Sequence, residues 1–279
     1  TLYEATHPAS EVRSLVYSDR RLFSYWALGD DMNSREKDLL VGAAAGAAAG
    51  AAAVLVAQKL VELWRKPSLV KVTYFQMAGR AGAVRAALKR AKIPYVNEFV
   101  TRDQVQAMRP SLPFGQVPVF ELLKGARGRG AERGRVLSQS VAFLRYAGKF
   151  SSLYPASPYE ALKVDEALDG VSDGMLCVVD SLREKDMAKK LQMRKELIAP
   201  EGNLRKFFAS MQRLMASNGG AYLCGADLTI ADLAMYTMTA AVRDKFLDGV
   251  PPEFLDDFPL LANLHMKLAS MKELWEMDY

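Results

Sequence analysis

Cysteine and histidine are the residues that this chain has least of. Its 279 residues include two cysteines, Cys177 and Cys224, and two histidines, His7 and His265. The members of each pair are far apart in the sequence, so neither pair has the close spacing of a zinc or redox motif. These absences exclude a disulfide-stabilised scaffold and a structural metal site, and they suggest a reducing compartment.

The chain also lacks a strong excess of one charge. Lys and Arg number 37 against 32 Asp and Glu, which gives +5 at pH 7, and half of the residues are hydrophobic. This composition excludes disordered and collagen-like chains and fits one or two globular domains. The charges cancel over residues 1–70, and most of the excess lies in the Gly/Arg-rich segment 124–135.

Segment 124–135 (KGARGRGAERGR) predicts a loop insertion that does not pack into a core. Two interpretations of its charge stay open: a solvated loop, or a contact with an acidic partner or anionic lipid. Because the excess charge is confined to one loop without interleaved aromatic residues, we expect no nucleic-acid partner.

Residues 39–57 have no polar side chain and consist of ten Ala, three Gly, three Leu and three Val. A helix of this length spans roughly 28 Å, close to the hydrocarbon thickness of a bilayer, so we predict a single transmembrane helix over residues 39–58. Ala and Gly are weakly apolar, and a soluble Ala-rich helix is the alternative. Gly42, Gly46 and Gly50 recur every four residues on one face, which predicts packing against other transmembrane helices, as in a membrane complex.

The residues around this segment predict its orientation and location. Basic residues and Trp64 follow it, whereas acidic residues dilute the basic ones before it, so the C-terminal part is expected on the stroma or matrix side. We predict that residues 1–38 are an N-terminal extension with an amphipathic helix and that residues 59–68 are a linker. From the start at Thr1 rather than Met we expect a removed organellar targeting segment. The prediction is a single-pass protein of a plastid or mitochondrial membrane.

From residue 69 onwards the pattern changes to alternating strands and helices. Strands are predicted at 69–75, 95–100 and 117–122, and helices at 81–92 and 139–150. This order predicts a small mixed sheet with helices on its faces over residues 69–150. Residues 151–279 show helical patterns alone, separated at Pro200, at 218–220 and at 251–252. Thr229 and Asp232 have the spacing of a helix-capping box.

Five motifs in this order resemble the glutathione S-transferases, and most closely their sigma-like class. The motifs lie at 71–88 (KVTYFQMAGRAGAVRAAL), 109–121 (RPSLPFGQVPVFE), 138–150 (SQSVAFLRYAGKF), 159–173 (YEALKVDEALDGVSD) and 222–236 (YLCGADLTIADLAMY). The resemblance implies an α+β then α fold class, with a thioredoxin-like glutathione-binding domain at 69–150 and an all-helical domain at 151–279. The predicted transmembrane helix precedes both domains.

The resemblance also implies a site for glutathione. Tyr74 matches the catalytic tyrosine, whose hydroxyl can donate a hydrogen bond to the glutathione thiolate. The residues implied to hold glutathione are Arg80, Arg109, Gln116, Val117, Pro118, Gln139, Ser140 and Asp165. Val117-Pro118 resembles a cis-proline step, and Gln139 and Ser140 begin a helix whose unpaired amides favour a carboxylate. Asp165 matches an acidic residue that contacts glutathione across the interface in dimeric relatives, so its role depends on a homodimer.

Two departures from the family pattern concern this site. Gly82 and Ala83 stand where relatives have an acidic residue and a proline, which weakens the start of the first helix. Val105 stands where many relatives have a tryptophan near the glycyl carboxylate, which predicts weaker glutathione binding. Two functions follow: a membrane-anchored transferase that conjugates or isomerises apolar electrophiles with glutathione, or a non-catalytic accessory subunit of an organellar membrane complex.

Overall fold

The computed structural model of this chain describes Ala57 and residues 66–124 and 134–276. The predicted amphipathic helix within residues 1–38, the predicted transmembrane helix over 39–58 with Gly42, Gly46 and Gly50, and most of the Gly/Arg-rich segment lie outside the described residues, Ala57 excepted. Within the described part of the chain, no helix is both long and apolar enough to cross a membrane.

A four-stranded mixed sheet forms the N-terminal part of the described fold. Its strands are β1 (Leu69–Tyr74), β2 (Tyr95–Phe99), β3 (Val119–Lys124) and β4 (Val136–Leu137), in the order β2-β1-β3-β4. β2 is parallel to β1, whereas β3 is antiparallel to β1 and β4 is antiparallel to β3. The predicted strands are confirmed to within two residues at each end, because β1 and β2 are rich in β-branched and aromatic residues and β3 begins with Val119 and Phe120.

Three helices accompany the sheet: α1 (Gly79–Arg90), α2 (Arg102–Met108) and α3 (Ser140–Gly148). Val72 in β1 and Phe120 in β3 pair on one face, where Phe120 stacks on Phe143 of α3 with the ring centroids 4.2 Å apart. α1 packs against α3 on this side. Sheet and helices therefore share one core, as the thioredoxin-like arrangement requires.

The first helix begins and ends earlier than the sequence predicted. α1 begins at Gly79 without a side-chain cap or an acidic residue in its first turn, as the departure at Gly82 and Ala83 suggested. It ends at Arg90, because Lys92 has a left-handed backbone with φ of 52°. Every residue from Ala81 to Leu88 is buried, so packing rather than capping stabilises this helix.

α2 was not predicted, although its start carries a readable signal. Thr101 accepts a hydrogen bond from the Gln104 amide, and the Gln104 side chain accepts one from the Thr101 amide. This is the reciprocal capping box expected of a Thr-x-x-Gln sequence. The helix buries Val105 and leaves most of its other residues exposed, which explains its weak hydrophobic pattern.

The C-terminal part is all-helical, as predicted. Its helices are α4 (Pro158–Arg183), α5 (Met187–Ile198), α6 (Asn203–Ser217), α7 (Ile230–Arg243), α8 (Pro259–Ala269) and α9 (Lys272–Trp275). The breaks at Pro200, 218–220 and 251–252 are present, and a further break separates α4 from α5. There Asp186 accepts the Lys189 amide at 2.9 Å and so begins α5.

Helix α7 is the buried centre of the described fold and packs against both α1 and α4. Its start is the predicted capping box, because the Asp232 carboxylate accepts the Thr229 amide and the Thr229 hydroxyl accepts the Ala231 amide. Asp232 is fully buried and also accepts the Leu223 amide at 2.8 Å. The predicted structural role of Thr229 and Asp232 is confirmed.

Candidate active site

The sheet topology brings most of the predicted site residues to one edge. Tyr74 is the last residue of β1, and Val117-Pro118 directly precedes β3, which runs antiparallel to β1. Gln139 and Ser140 follow the end of β4, which is antiparallel to β3. The end of β1, the start of β3 and the end of β4 therefore meet, and we call this end of the sheet the site edge.

Tyr74 occupies the centre of the site edge. Its side chain is buried, and its hydroxyl accepts a hydrogen bond from the Arg80 amide at 3.3 Å. Burial raises the pKa of Tyr74 above its ordinary value of 10.0, although the Arg80 amide and the charges of Arg80 and Arg85 oppose this. The phenol therefore stays protonated at neutral pH, so it can donate a hydrogen bond to a ligand.

Gly79 makes room for the Tyr74 hydroxyl. A Cβ atom at this position would lie 2.7 Å from the Tyr74 oxygen and 2.9 Å from its Cε1 atom. Gly79 also has φ of 41°, a backbone conformation that side chains disfavour. The sequence did not predict this role of Gly79, because its contact with the Tyr74 ring exists only in the folded chain.

Arg85 of α1 binds the loop between β1 and α1. This buried side chain donates to the Met77 carbonyl at 2.7 Å and to the Asn97 side chain at 2.9 Å. It fixes the loop that leads into Gly79 and Arg80 at the start of α1, and it holds this loop against β2. An arginine among the alanines of a buried helix is the sequence signal that could have predicted this role.

The Val117-Pro118 peptide bond is cis, as the resemblance implied. Pro118 is buried and Val117 is half-buried. Among the described residues, none forms a hydrogen bond with the main-chain N–H or C=O of Val117. Both groups are consequently available to pair with an extended peptide.

The N-terminus of α3 forms the third part of the site edge. Gln139 precedes the helix with φ of 71°, no side chain caps the first turn, and that turn has no acidic residue. The Ser138 hydroxyl is buried without a hydrogen-bond partner among the described residues. Unpaired amides at a helix start attract a carboxylate, so Gln139 and Ser140 are positioned for the predicted contact.

Arg80, Arg109 and Gln116 surround these three parts. Arg80 is half-exposed at the start of α1, and Arg109 and Gln116 are exposed between α2 and β3. The Arg109 stem lies beside Gly115, since a Cβ atom on Gly115 would be 3.2 Å from the Arg109 Cγ. Val105 is buried and apolar, so it supplies no donor to a glycyl carboxylate.

Asp165 does not join the site edge in the described chain. Its carboxylate accepts hydrogen bonds from Arg145 at 2.6 Å and from the Tyr154 hydroxyl at 2.9 Å. Arg145 also pairs with Asp169 at 2.8 Å, so the cluster ties the last turn of α3 to α4. Each Asp165 oxygen already has a donor, and its predicted contact across a subunit interface stays a prediction.

No described residues form a cluster of three potential His, Cys, Asp or Glu metal ligands. Cys177 and Cys224 are both free thiols in the helical part. Burial raises the pKa of Cys224 to about 12 and also raises that of Cys177, so neither is a reactive thiolate at neutral pH. Tyr74 is thus the side chain at the site edge best suited to act on a thiol supplied by a ligand.

Comparison with known proteins finds similarity to glutathione S-transferases. Residues 173–276 match the family "Glutathione S-transferase, C-terminal domain". The chain is 29% identical to glutathione S-transferase 1 of Ascaris suum over 66% of this chain and 83% of that protein. It is also 29% identical to human hematopoietic prostaglandin D synthase, over 72% and 90% of the two chains. The solved prostaglandin synthase D of Nilaparvata lugens superposes with a TM-score of 0.62 at 24% identity, covering 74% of this chain and 94% of that structure.

Proposed function

We propose that this chain, which belongs to the glutathione S-transferase family by its C-terminal domain and its fold, conjugates or isomerises apolar electrophiles with glutathione. The observation that carries the proposal is the convergence at the site edge of the Tyr74 hydroxyl, the unpaired Val117 main chain and the uncapped start of α3. The first can donate a hydrogen bond to a thiolate, the second can pair with a peptide main chain, and the third can bind a carboxylate. Glutathione, a tripeptide thiol, carries all three groups.

The chemistry follows from the state of the Tyr74 hydroxyl. Its oxygen accepts the Arg80 amide, so its proton is directed to another acceptor, which we assign to the sulfur of glutathione. A hydrogen bond to the thiolate but not to the thiol lowers the thiol pKa, and each unit corresponds to about 1.4 kcal/mol. The thiol proton passes to solvent, and the sulfur electron pair forms the new bond to the electrophilic carbon. In return, that carbon loses a leaving group such as halide with its electron pair, or the pair of an activated double bond moves onto its electron-withdrawing group.

The remaining residues hold glutathione in place. We assign the γ-glutamyl carboxylate to the amides of Gln139 and Ser140 and the cysteinyl main chain to Val117 beside Pro118. Arg80, Arg109 and Gln116 are exposed or half-exposed around these groups, where they can reach the glycyl end. With Val105 in place of a polar donor, we expect glutathione to bind more weakly than in relatives with tryptophan there.

The test compares Tyr74→Phe with Tyr222→Phe in conjugation of glutathione to a chromogenic aryl halide. Tyr222 is the matched control because it is almost equally buried, 9% exposed against 7% for Tyr74, and lies in the helical part. Tyr74→Phe should lower the rate about 10- to 100-fold at pH 6.5 and less at pH 9, where free thiolate is abundant. If the wild-type protein neither binds glutathione nor turns over a panel of electrophiles, the proposal is refuted.

The class and the assembly are part of this proposal. We assign the chain to a sigma-like class, supported by its five ordered motifs, and expect a homodimer in which Asp165 lies near the interface. Because Arg145 and Tyr154 already bind Asp165, a dimer would bring the partner's glutathione against an occupied carboxylate. Sedimentation at several protein concentrations measures the dimer, and an Asp165→Asn variant with unchanged glutathione affinity would exclude the contact.

We further propose that residues 39–58 anchor the chain in a plastid or mitochondrial membrane, with the described part on the stroma or matrix side. The support is the run of residues without a polar side chain and the basic residues that follow it. Protease protection in isolated organelles checks both claims. Release of the full chain by alkaline carbonate would contradict the anchor.

A second function is an accessory subunit of an organellar membrane complex. Gly42, Gly46 and Gly50 at four-residue spacing favour it, because small residues on one face allow another helix to approach closely. Extraction in mild detergent followed by native size analysis distinguishes the two. Migration as a monomer or dimer counts against a complex, whereas co-migration with a large assembly that Gly46→Leu disrupts supports it.

A further inference from the structure

The end of the sheet opposite the site edge is basic. β1 and β2 begin there and β3 ends there, as their pairing shows. Arg90 ends α1, Lys92 leads into β2, and Lys124 ends β3. All three side chains are exposed, and we call them the basic edge.

Main-chain hydrogen bonds fix these segments next to one another. The Ser68 amide donates to the Lys124 carbonyl at 2.9 Å, and the Val70 amide donates to the Pro94 carbonyl at 3.0 Å. Neighbouring strands are about 4.8 Å apart, so the start of β2 and the end of β3, on either side of β1, lie on the order of 10 Å from each other. Such spacing presents separate charges along one flat edge rather than a single pocket.

Nearby carboxylates do not neutralise the basic edge. Glu98 and Glu121 on the neighbouring strands both pair with Lys71, at 3.5 and 2.5 Å. No ion pair joins Arg90, Lys92 or Lys124 to an acidic residue of the described chain. Lys89 is not counted as part of the edge, because its ammonium donates to the Glu276 carbonyl.

The connection to the N-terminal residues leaves from the same end. β1 begins at Leu69, directly after the predicted linker 59–68, and ten extended residues reach at most about 35 Å. A membrane anchor at residues 39–58 would therefore keep the start of β1 within about 35 Å of the bilayer surface. Segment 125–133 also follows Lys124 in the chain, but it lies outside the described residues and is not counted in the basic edge.

We propose that the basic edge rests on the anionic lipid headgroups of the membrane that holds residues 39–58. In this orientation the site edge, at the other end of the strands, faces the aqueous phase from which glutathione arrives. The inference rests on the membrane anchoring proposed above and adds a lipid contact and an orientation to it. Cationic side chains near an anionic surface favour contact, and salt weakens it.

The test uses the full chain reconstituted in phosphatidylcholine vesicles with or without phosphatidylglycerol, and a headgroup-linked energy-transfer acceptor. A donor dye is placed at Ser68→Cys beside the basic edge or at Gln116→Cys at the site edge, both exposed positions, in a Cys177→Ser background. Phosphatidylglycerol should increase transfer from position 68 and not from position 116. Added salt should reverse the increase.

Charge removal makes the test specific. The triple variant Arg90→Gln, Lys92→Gln and Lys124→Gln should weaken docking about fivefold per residue, on the order of 100-fold together. The matched control removes three exposed lysines of the helical part, Lys185→Gln, Lys195→Gln and Lys245→Gln, and should keep the lipid response. Circular dichroism verifies that both variants are folded.

The outcomes separate the basic edge from the anchor. If the chain stays bound to neutral vesicles at high salt but energy transfer from position 68 does not change with lipid charge, the membrane anchor is supported and the lipid contact of the basic edge is refuted. If the chain binds only vesicles that contain anionic lipid and the triple variant abolishes this binding, the membrane anchor is refuted and the lipid contact of the basic edge is supported.

Discussion

Replacing Gly79 by alanine tests whether the position of the Tyr74 hydroxyl controls the reaction. The added Cβ would lie 2.7, 2.9 and 3.2 Å from the Oη, Cε1 and Cζ atoms of Tyr74. Comfortable contacts to carbon are about 3.5 Å or longer, so the ring or the loop must move by roughly 0.5 to 1 Å. Because Tyr74 is buried, the ring cannot simply swing into solvent.

The size of the effect follows from this displacement. A misplacement of about 1 Å at a reacting centre can cost on the order of 100-fold in rate, so we expect kcat/KM for glutathione conjugation to fall about 10- to 100-fold. Alanine at the φ of 41° adds backbone strain of about 1 to 2 kcal/mol. In a unit of this size, that strain lowers the melting temperature by about 2 to 8 °C.

The assay pairs steady-state conjugation with thermal unfolding, and Gly219→Ala is the control. Gly219 has φ of 95°, but a Cβ atom there meets nothing within 4 Å. This variant should lose comparable stability and keep full activity. If Gly79→Ala loses stability yet conjugates at the wild-type rate, the Tyr74 hydroxyl is not the group that activates the thiol.

Two further predictions concern the helical part. Burial raises the pKa of Asp232 to about 6, so at pH 8 Asp232 accepts its hydrogen bonds as a carboxylate. Asp232→Asn should leave the Thr229 amide without its acceptor and lower the free energy of unfolding, measured in urea, by about 2 to 4 kcal/mol. A loss below about 1 kcal/mol would contradict the buried network. Burial lowers the pKa of His265 below its ordinary 6.5, so its contribution to stability is fully present above pH 6.5 and is lost as the pH falls from 6.5 through the lowered pKa. His265→Gln should flatten this decline, and an unchanged pH profile of stability would refute it.

Features that depend only on residues close together in the sequence, such as strands and helix caps, could be predicted. β-Branched runs marked the strands, and the Thr229–Asp232 spacing marked the start of α7, because a capping box needs nothing beyond four consecutive residues. The position of Tyr74 at the end of β1 followed from the same pattern. The site edge then follows from strand order, which the family resemblance implied.

What the sequence could not show depends on contacts between distant residues. Asp165 is matched to a ligand contact by its motif, yet in the fold Arg145, twenty positions earlier, and Tyr154 occupy its oxygens. Likewise, no local pattern indicates that Gly79 lies against the Tyr74 ring. Such assignments need the distances between helices and strands. Helix α2 has one buried side chain and therefore no hydrophobic periodicity that predicts a helix, although its capping box can be recognised in the sequence.

The position of α7 has a consequence for how the two halves of the described chain depend on each other. Ser68–Lys124 and Arg133–Tyr279 form one compact unit, and α7 contributes core to both the sheet part and the helical part. A Cβ atom on Gly148 of α3 would lie 2.8 Å from Ile230 at the start of α7, so the halves meet without spare room. They are not separable modules: calorimetry should record a single cooperative transition, and neither half cut out alone would keep a complete interior.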